Sequence, residues 1–148
     1  MLKVIITGAL GHVGTKITEL CQKSDEIEIV CGIDKQSGNA PFNIYDNLSC
    51  VTEKADALID FSNPSLLNSI LSFAKKNKMP VVLATTGYTK EQIESIKEAS
   101  KEIPVFYTAN MSLGVNLLSA LVKKASLILG EDFDVEIIEK HHNLKMDA

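Results

Sequence analysis

A dense group of ionisable side chains lies near the end of the 148-residue sequence, between residues 139 and 145. His141 and His142 are of the type that titrates near neutral pH, and Lys145 is cationic there. Such groups are suited to proton transfer beside an anionic substrate. A charged chain terminus without a catalytic role is the alternative interpretation. No cysteine or acidic pattern at metal-ligand spacing accompanies them, so we expect no metal site.

A glycine-rich loop with the spacing G-x-x-G-x-x-G follows the first apolar run of the chain. Its residues are Gly8, Ala9, Leu10, Gly11, His12, Val13 and Gly14. Glycines between a strand and a helix let a pyrophosphate approach the backbone, and the helix N-terminus supplies oriented N–H groups. The spacing departs by one residue from the G-x-G-x-x-G fingerprint. The loop predicts a dinucleotide site; a glycine-rich turn without a ligand is the alternative.

Two charged residues follow the second apolar run. Asp34 lies twenty residues after Gly14, where a carboxylate can accept hydrogen bonds from the adenosine ribose hydroxyls. Lys35 can pair with a 2′-phosphate and offset the repulsion between Asp34 and NADP. We therefore expect both NADH and NADPH to bind. The alternative is that the two residues belong to a solvated loop.

Two polar loops follow later apolar runs and are further candidates for cofactor contacts. The first contains Ala84, Thr85, Thr86 and Gly87, and the second contains Thr108, Ala109, Asn110 and Met111. Loops at the carboxyl ends of parallel strands line the crevice where doubly wound sheets bind ligands. Hydroxyls and amides there can hold a nicotinamide ribose and carboxamide. Equally, threonine and asparagine can bond their own backbone in local turns.

The elements that must position these residues alternate between β-rich runs and segments of helical period, which predicts βαβ units. We expect an α/β fold, a Rossmann-like doubly wound parallel sheet. The predicted strands are 2–7, 27–33, 57–61, 81–85, 104–107 and 135–139. The predicted helices cover about 13–21, a segment starting at Asn63-Pro64, 89–102, and a segment around 117–125 that ends near Gly130. Residues 44–51 have no clear pattern.

Composition excludes several classes of function. The net charge is −4, and all 15 Lys and Arg residues are lysines. We therefore expect no basic surface that binds nucleic acid. No apolar run approaches the roughly 20 residues of a membrane span, and the N-terminus lacks a signal cleavage site. We expect a cytoplasmic protein.

Cys21, Cys31 and Cys50 match neither a zinc nor a disulfide pattern, so we expect reduced packing residues.

Five stretches together resemble one family, 4-hydroxy-tetrahydrodipicolinate reductase, formerly called dihydrodipicolinate reductase. The stretches are 8–14, 58–62 (LIDFS), 84–87 (ATTG), 110–116 (NMSLGVN) and 139–148 (EKHHNLKMDA). They cover essentially the whole chain in order, and the H-H-x-x-K-x-D-A segment is the most specific. The family acts in the diaminopimelate route to lysine.

The resemblance implies an NAD(P)H-dependent oxidoreductase acting on a small cyclic dicarboxylate. His141 takes the position of the catalytic histidine, Lys145 that of the proton-donating lysine, and His142 that of a substrate-binding residue. The matching cofactor contacts are Gly8 to Val13, Asp34, Lys35, Ala84 to Thr86 and Thr108 to Met111. Residues 1–111 would form the NAD(P)-binding Rossmann domain, and 112–148 the beginning of a substrate-binding and oligomerisation domain. The full-length protein would be a homo-oligomer, a tetramer by resemblance.

The sequence departs from the family pattern at two places. Ala84 stands where a glycine is common, and the sequence stops at Ala148, where the family continues with Pro-Ser-Gly-Thr. That Gly-Thr pair ought to hold a substrate carboxylate, so we expect a truncated form with little activity. Two alternatives stay open: another Rossmann amino-acid dehydrogenase, such as an aspartate or homoserine type, or a non-catalytic NAD(P)-binding domain.

Overall fold

The structure, a computed structural model, describes residues 1–36, 38–138 and 140. Its strands are β1 (Leu2–Thr7), β2 (Ile27–Ile33), β3 (Asn43–Tyr45), β4 (Ala57–Asp60), β5 (Val81–Leu83) and β6 (Val105–Tyr107). They form a parallel sheet in the order β3-β2-β1-β4-β5-β6. The strand order reverses between β1 and β4, which is the switch point where such sheets bind ligands. The predicted Rossmann-like α/β fold is confirmed.

The described residues form four helices: α1 (His12–Cys21), α2 (Leu67–Asn77), α3 (Lys90–Ala99) and α4 (Leu113–Leu129). Short 3-10 helices cover Leu48–Cys50, Pro64–Leu66 and Gly130–Asp132. The start of α3 is a capping box, in which the Gln92 backbone N–H donates to Thr89 Oγ1 over 3.3 Å and the Thr89 N–H to Gln92 Oε1 over 2.9 Å. The predicted α3 start is therefore confirmed, although the helix ends three residues earlier than expected.

The core lies between the central strands and the helix α2. Ile5 of β1, Leu58 of β4 and Leu83 of β5 are completely buried, as are Leu67 and Ile70 of α2. Burying an aliphatic side chain of this size contributes about 1.5–3 kcal/mol. These contacts hold β1, β4 and β5 against α2, so the loops that follow the three strands begin from fixed positions.

Two parts of the chain differ from the sequence-based expectation. The predicted strand 135–139 is wrong for residues 135–138, which lie in no regular element, and residue 139 is outside the described residues. A strand needs a neighbouring strand for its backbone groups, and none pairs with this run in the described part. Residues 44–51, which had no clear pattern, contribute to the edge strand β3 and the 3-10 helix Leu48–Cys50.

The chain divides into two compact units, Met1–Ala109 and Asn110–Ala148. In the second unit, α4 begins at Ser112, whose Oγ accepts from the Val115 N–H over 3.3 Å. The predicted end of this helix near Gly130 is confirmed.

The helix α4 and the following turn are long and apolar enough, by length and composition alone, to cross a membrane (Leu113–Asp132, mean hydropathy 1.4). This is weak evidence, because a core helix of a soluble protein passes the same test. Lys123 and Lys124 also lie in the middle of the segment, where a bilayer would penalise charge. The absence of a membrane span stays a prediction.

The three cysteines are all free but differ in surroundings. Cys31 is completely buried, and burial, together with the negative charge of Glu53, raises the pKa of its thiol to about 12. Partial burial also raises the pKa of Cys21. Cys50 is exposed, so the expectation that all three are packing residues is wrong for Cys50.

We expect iodoacetamide at about pH 8 to label Cys50 first and to spare Cys31 while the protein is folded, because alkylation needs an accessible thiolate. Mass spectrometry of peptides after timed labelling measures this order. In urea all three cysteines should react. Equal labelling rates for Cys31 and Cys50 in the folded protein would contradict the burial of β2.

Candidate dinucleotide-binding site

The turn between β1 and α1 is closed so tightly that two of its positions accept only glycine. Gly8 has φ +73°, and a Cβ there would lie 2.4 Å from the Phe61 carbonyl oxygen. A Cβ on Gly14 would lie 2.2 Å from the Gly8 carbonyl oxygen. The turn therefore packs directly against the chain after β4 and against its own helix. This is the backbone geometry that brings a phosphate group close to main-chain N–H groups.

The N-terminus of α1 offers unpaired donors to a ligand. Its N-cap is Gly11, so no side chain accepts a hydrogen bond from the first helical turn, and that turn contains no acidic residue. The first N–H groups of a helix have no acceptor within the helix, and the helix dipole makes this end attractive to anions. The Gly11 N–H itself donates to the Gly8 carbonyl over 3.1 Å. The residues present therefore fit a pyrophosphate.

Asp34 joins the glycine-rich loop to the end of β2. Its Oδ2 accepts from the Leu10 backbone N–H over 2.9 Å, and its Oδ1 accepts from the Gln36 N–H over 3.0 Å. The side chain is half-buried, whereas Lys35 is exposed. Two backbone donors hold the carboxylate in one orientation, and each oxygen keeps a further lone pair for a ligand hydroxyl.

A cleft of about 360 Å³ lies over this turn. That volume falls in the range of small-molecule sites. Residues at the carboxyl ends of four strands line it: Gly8, Gly11, Ile33, Asp34, Lys35, Gln36, Asp46, Phe61, Ser62, Asn63, Ser65 and Leu66. The structure thus brings Gly8, Gly11, Asp34 and Lys35 to one cleft, as the sequence predicts.

The loop after β5 lies at the same edge of the sheet. Thr85 is buried, with 6% of its surface exposed, and its hydroxyl donates to Asp60 Oδ2 over 2.7 Å. Thr86 and Gly87 are exposed, and Ala84 is half-buried. The Thr85 hydroxyl is therefore occupied inside the protein, which leaves Thr86 and the backbone of the loop to face a ligand.

The loop after β6 is divided between the two units. Thr108 and Ala109 follow β6 and belong to the first unit. The Thr108 N–H donates to the Leu83 carbonyl of β5 over 3.1 Å. Asn110 and Met111 belong to the second unit. Asn110 Oδ1 accepts from the Ser112 N–H over 2.9 Å, which is the local turn bond that the sequence left as an alternative. His141, His142 and Lys145 lie outside the described residues.

Sequence reasoning missed a polar cluster at the centre of this edge. Asp60 is completely buried at the end of β4, and it accepts hydrogen bonds from Thr7, Ser62, Thr85 and Tyr88. The available signal was a charged residue closing an otherwise apolar strand in the LIDFS stretch. Its partners could not be read from the sequence, because Thr7 lies 53 residues before it and Thr85 lies 25 residues after it.

Comparisons with known proteins agree with this geometry. A family profile described as the dihydrodipicolinate reductase N-terminus matches residues 2–111, and one described as the C-terminus matches residues 114–148. The 4-hydroxy-tetrahydrodipicolinate reductases of Caldanaerobacter subterraneus subsp. tengcongensis and Clostridium novyi are 47% and 46% identical to the chain over its full length. The chain spans 59% of the length of either relative.

A solved structure shows the same fold. The dipicolinate-bound dihydrodipicolinate reductase from Paenisporosarcina sp. TG-14 superposes with a TM-score of 0.73 over 85% of this chain and 54% of its own, at 20% identity. Because the N-terminal profile covers most of the chain and the relatives match along all of it, the chain belongs to the dihydrodipicolinate reductase family.

Proposed function

We propose that the chain binds NADH or NADPH in the cleft at the β1–α1 turn. The glycine-rich turn, whose loop is tied to Asp34 through the Leu10 N–H, carries this proposal. The pyrophosphate lies at the uncapped start of α1, and the adenosine ribose hydroxyls donate to Asp34. Gly8 to Val13 form the turn, and Ala84 to Thr86 and Thr108 to Met111 contribute contacts around the nicotinamide.

Lys35 supports NADPH binding in this proposal. Its ammonium group is exposed at the cleft beside Asp34 and can pair with a 2′-phosphate. Lys35→Ala should weaken NADPH binding by about 1 kcal/mol or more and leave NADH binding unchanged. Calorimetric titration of both cofactors measures the ratio of the two affinities. Lys76→Ala, which removes a lysine of α2 that does not line the cleft, is the matched control. If Lys35→Ala leaves the ratio of the NADPH and NADH affinities unchanged, Lys35 does not contact the 2′-phosphate and is only a solvated loop residue.

We further propose the reaction of the named relatives, reduction of 4-hydroxy-tetrahydrodipicolinate to tetrahydrodipicolinate in lysine biosynthesis. The nicotinamide supplies a hydride to the unsaturated cyclic dicarboxylate that forms when the substrate loses water. Lys145 and His141 supply the proton that the resulting enamine takes up, and their positive charge attracts the dicarboxylate. His142 binds the substrate. Identity of 46–47% along the whole chain supports this function over another Rossmann amino-acid dehydrogenase or a non-catalytic domain.

The two family profiles support different roles for the two parts of the chain. We propose that residues 1–111 form the NAD(P)-binding domain and that 112–148 begin a substrate-binding and oligomerisation domain. Turnover then needs the additional length that the relatives have, because substrate must be held between two domains in a reactive geometry. The helix α4 carries exposed leucines, among them Leu117, Leu118 and Leu121, which the remaining part of such a domain would cover.

A coupled assay tests the proposed reaction. A synthase generates the substrate, and NADH oxidation is followed for the 148-residue chain and for a longer version that continues with the remaining residues of the Caldanaerobacter relative. We expect turnover only from the longer version, and Lys145→Ala or His141→Gln should lower it about a hundredfold. Lys140→Ala is the matched control and should retain activity. Robust turnover by the short chain would contradict the need for added length, and indifference to both substitutions would contradict the assigned roles.

A further inference from the structure

Asp60 is a buried carboxyl group whose partners are almost all hydroxyl groups. Its Oδ1 accepts from Thr7 Oγ1 over 2.5 Å, from the Ser62 N–H over 3.1 Å and from Ser62 Oγ. Its Oδ2 accepts from Thr85 Oγ1 over 2.7 Å and from Tyr88 Oη over 3.0 Å. In the described part of the chain no ion pair includes Asp60. Five donors therefore satisfy a carboxyl group that burial would otherwise penalise heavily.

The two oxygens of Asp60 serve different parts of the site. Oδ1 holds the ends of β1 and β4, through Thr7 and Ser62, directly before the glycine-rich turn and at the rim of the cleft. Oδ2 holds only the loop after β5, through Thr85 and Tyr88. One side chain thus connects the turn that the proposed function assigns to the pyrophosphate with the loop that it assigns to the nicotinamide.

Tyr88 extends the connection to β6. Its ring lies 5.6 Å from the ring of Tyr107, centroid to centroid, at an interplanar angle of 57°. Tyr107 is the last residue of β6, so the next loop begins beside this ring pair. Burial and the neighbouring Asp60 carboxylate raise the pKa of the Tyr88 phenol, so it remains a hydrogen-bond donor at neutral pH.

The buried hydrogen bonds to Asp60 restrain the conformation of the segments that they join. Hydrogen bonds to a charged acceptor in a low-dielectric interior are strong and directional, and leaving one partner unsatisfied is costly. Among the described residues, one backbone hydrogen bond joins the start of the β5 loop to β4, from the Ala84 N–H to the Asp60 carbonyl over 3.0 Å. The chain turns at Gly87, which has φ +80°, between Thr85 and Tyr88, whose hydroxyls both donate to Asp60.

We propose that Asp60 is a positioning residue that acts through Thr85 to hold the loop 84–88 in the conformation that receives the dinucleotide. The inference rests on the proposed cofactor binding and adds a residue that does not touch the cofactor itself. Asp60 determines affinity by fixing the exposed Thr86 and the loop backbone before the ligand arrives, so that binding does not have to order them.

A double-mutant cycle tests this inference. The variants are Asp60→Asn, Thr85→Val and the two combined. Calorimetry measures the NADH affinity of each variant at a temperature at which that variant is folded. Each single variant should lose about tenfold in affinity, and the double variant should lose no more than either one, because both break the same link. Thr85→Ser keeps the hydroxyl and should restore parent affinity. Asp56→Asn removes a carboxylate that accepts from the Lys3 N–H at the opposite edge of the sheet and should bind like the parent.

The outcomes separate the inference from the function on which it rests. A parent chain that fails to bind NADH overturns the proposed function and this inference with it. A parent that binds, together with an Asp60→Asn variant that has lower thermal stability but parent affinity, overturns only the positioning role. If Asp60→Asn does not fold, the Thr85→Val and Thr85→Ser pair decides, and parent affinity in Thr85→Val contradicts the inference. Amide hydrogen exchange provides a readout without cofactor: it should accelerate at residues 86 and 87 in Thr85→Val and not in Thr85→Ser.

Discussion

Gly11→Asp is expected to fold like the parent chain and to lose NADH binding by more than about a hundredfold. Gly11 has φ −69° and ψ 168°, an extended conformation open to any residue, and it is the N-cap of α1. Aspartate is a favourable N-cap residue, so the helix gains a capping bond. The same carboxylate occupies the helix N-terminus and repels the pyrophosphate that we place there.

Gly11→Asn is the matched control for this variant. Asparagine has the same size and caps a helix equally well, but it carries no charge. A Cβ at this position lies 3.2 Å from the Gly8 carbonyl oxygen in either variant, so any adjustment of the turn is shared. We expect Gly11→Asn to bind NADH more tightly than Gly11→Asp. Parent-like affinity in both variants would place the pyrophosphate elsewhere.

Gly8→Ala is expected to lower the free energy of unfolding by about 2–5 kcal/mol. A left-handed backbone costs a residue with a side chain about 1–2 kcal/mol, and a forced contact in a packed region adds about 1–3 kcal/mol. Both apply here, because Gly8 has φ +73° and its Cβ would lie 2.4 Å from the Phe61 carbonyl oxygen. Urea unfolding followed by circular dichroism measures the difference.

Gly87→Ala isolates the backbone contribution in the same experiment. Gly87 has φ +80°, but the nearest atom to its Cβ would be Pro64 Cγ at 3.9 Å. This variant should therefore lose only the conformational part, about 1–2 kcal/mol. Equal losses at the two glycines would show that Gly8 does not pack against the chain after β4.

Local signals in the sequence predicted most of the fold. The Thr89 and Gln92 capping box appears as expected, and Asn63 accepts from the Ser65 N–H over 3.0 Å at the predicted helix start. The segment there begins as the 3-10 helix Pro64–Leu66 before α2. These features depend on residues two or three positions apart, which a sequence displays directly.

Features that depend on distant partners were harder to predict. The three-residue edge strand β3 is defined by its pairing with β2 rather than by its own pattern. The run 135–138 is rich in the β-branched residues typical of strands, but among the described residues it has nothing to pair with. A strand is therefore a property of the sheet that receives it, and periodicity alone cannot supply that sheet.

The candidate site shows the same division. The glycine-rich loop and Asp34 were predictable because a short motif and a fixed spacing define them. The hydrogen bond from the Leu10 N–H to Asp34 was not, nor was the Asp60 cluster, since both join segments more than 20 residues apart. For the loop after β5, the sequence suggested that Thr85 offers its hydroxyl to a ligand, whereas the structure turns it inward.

An NMR titration of the 148-residue chain with NADH shows directly whether a nicotinamide dinucleotide binds at the β1–α1 turn. Binding at this turn should give saturable shifts of the backbone amide signals of residues 8–14, 34–36 and 84–87. These signals should move together with one dissociation constant. A folded chain whose amide signals do not respond to NADH, or whose shifts cluster away from this edge of the sheet, would contradict it.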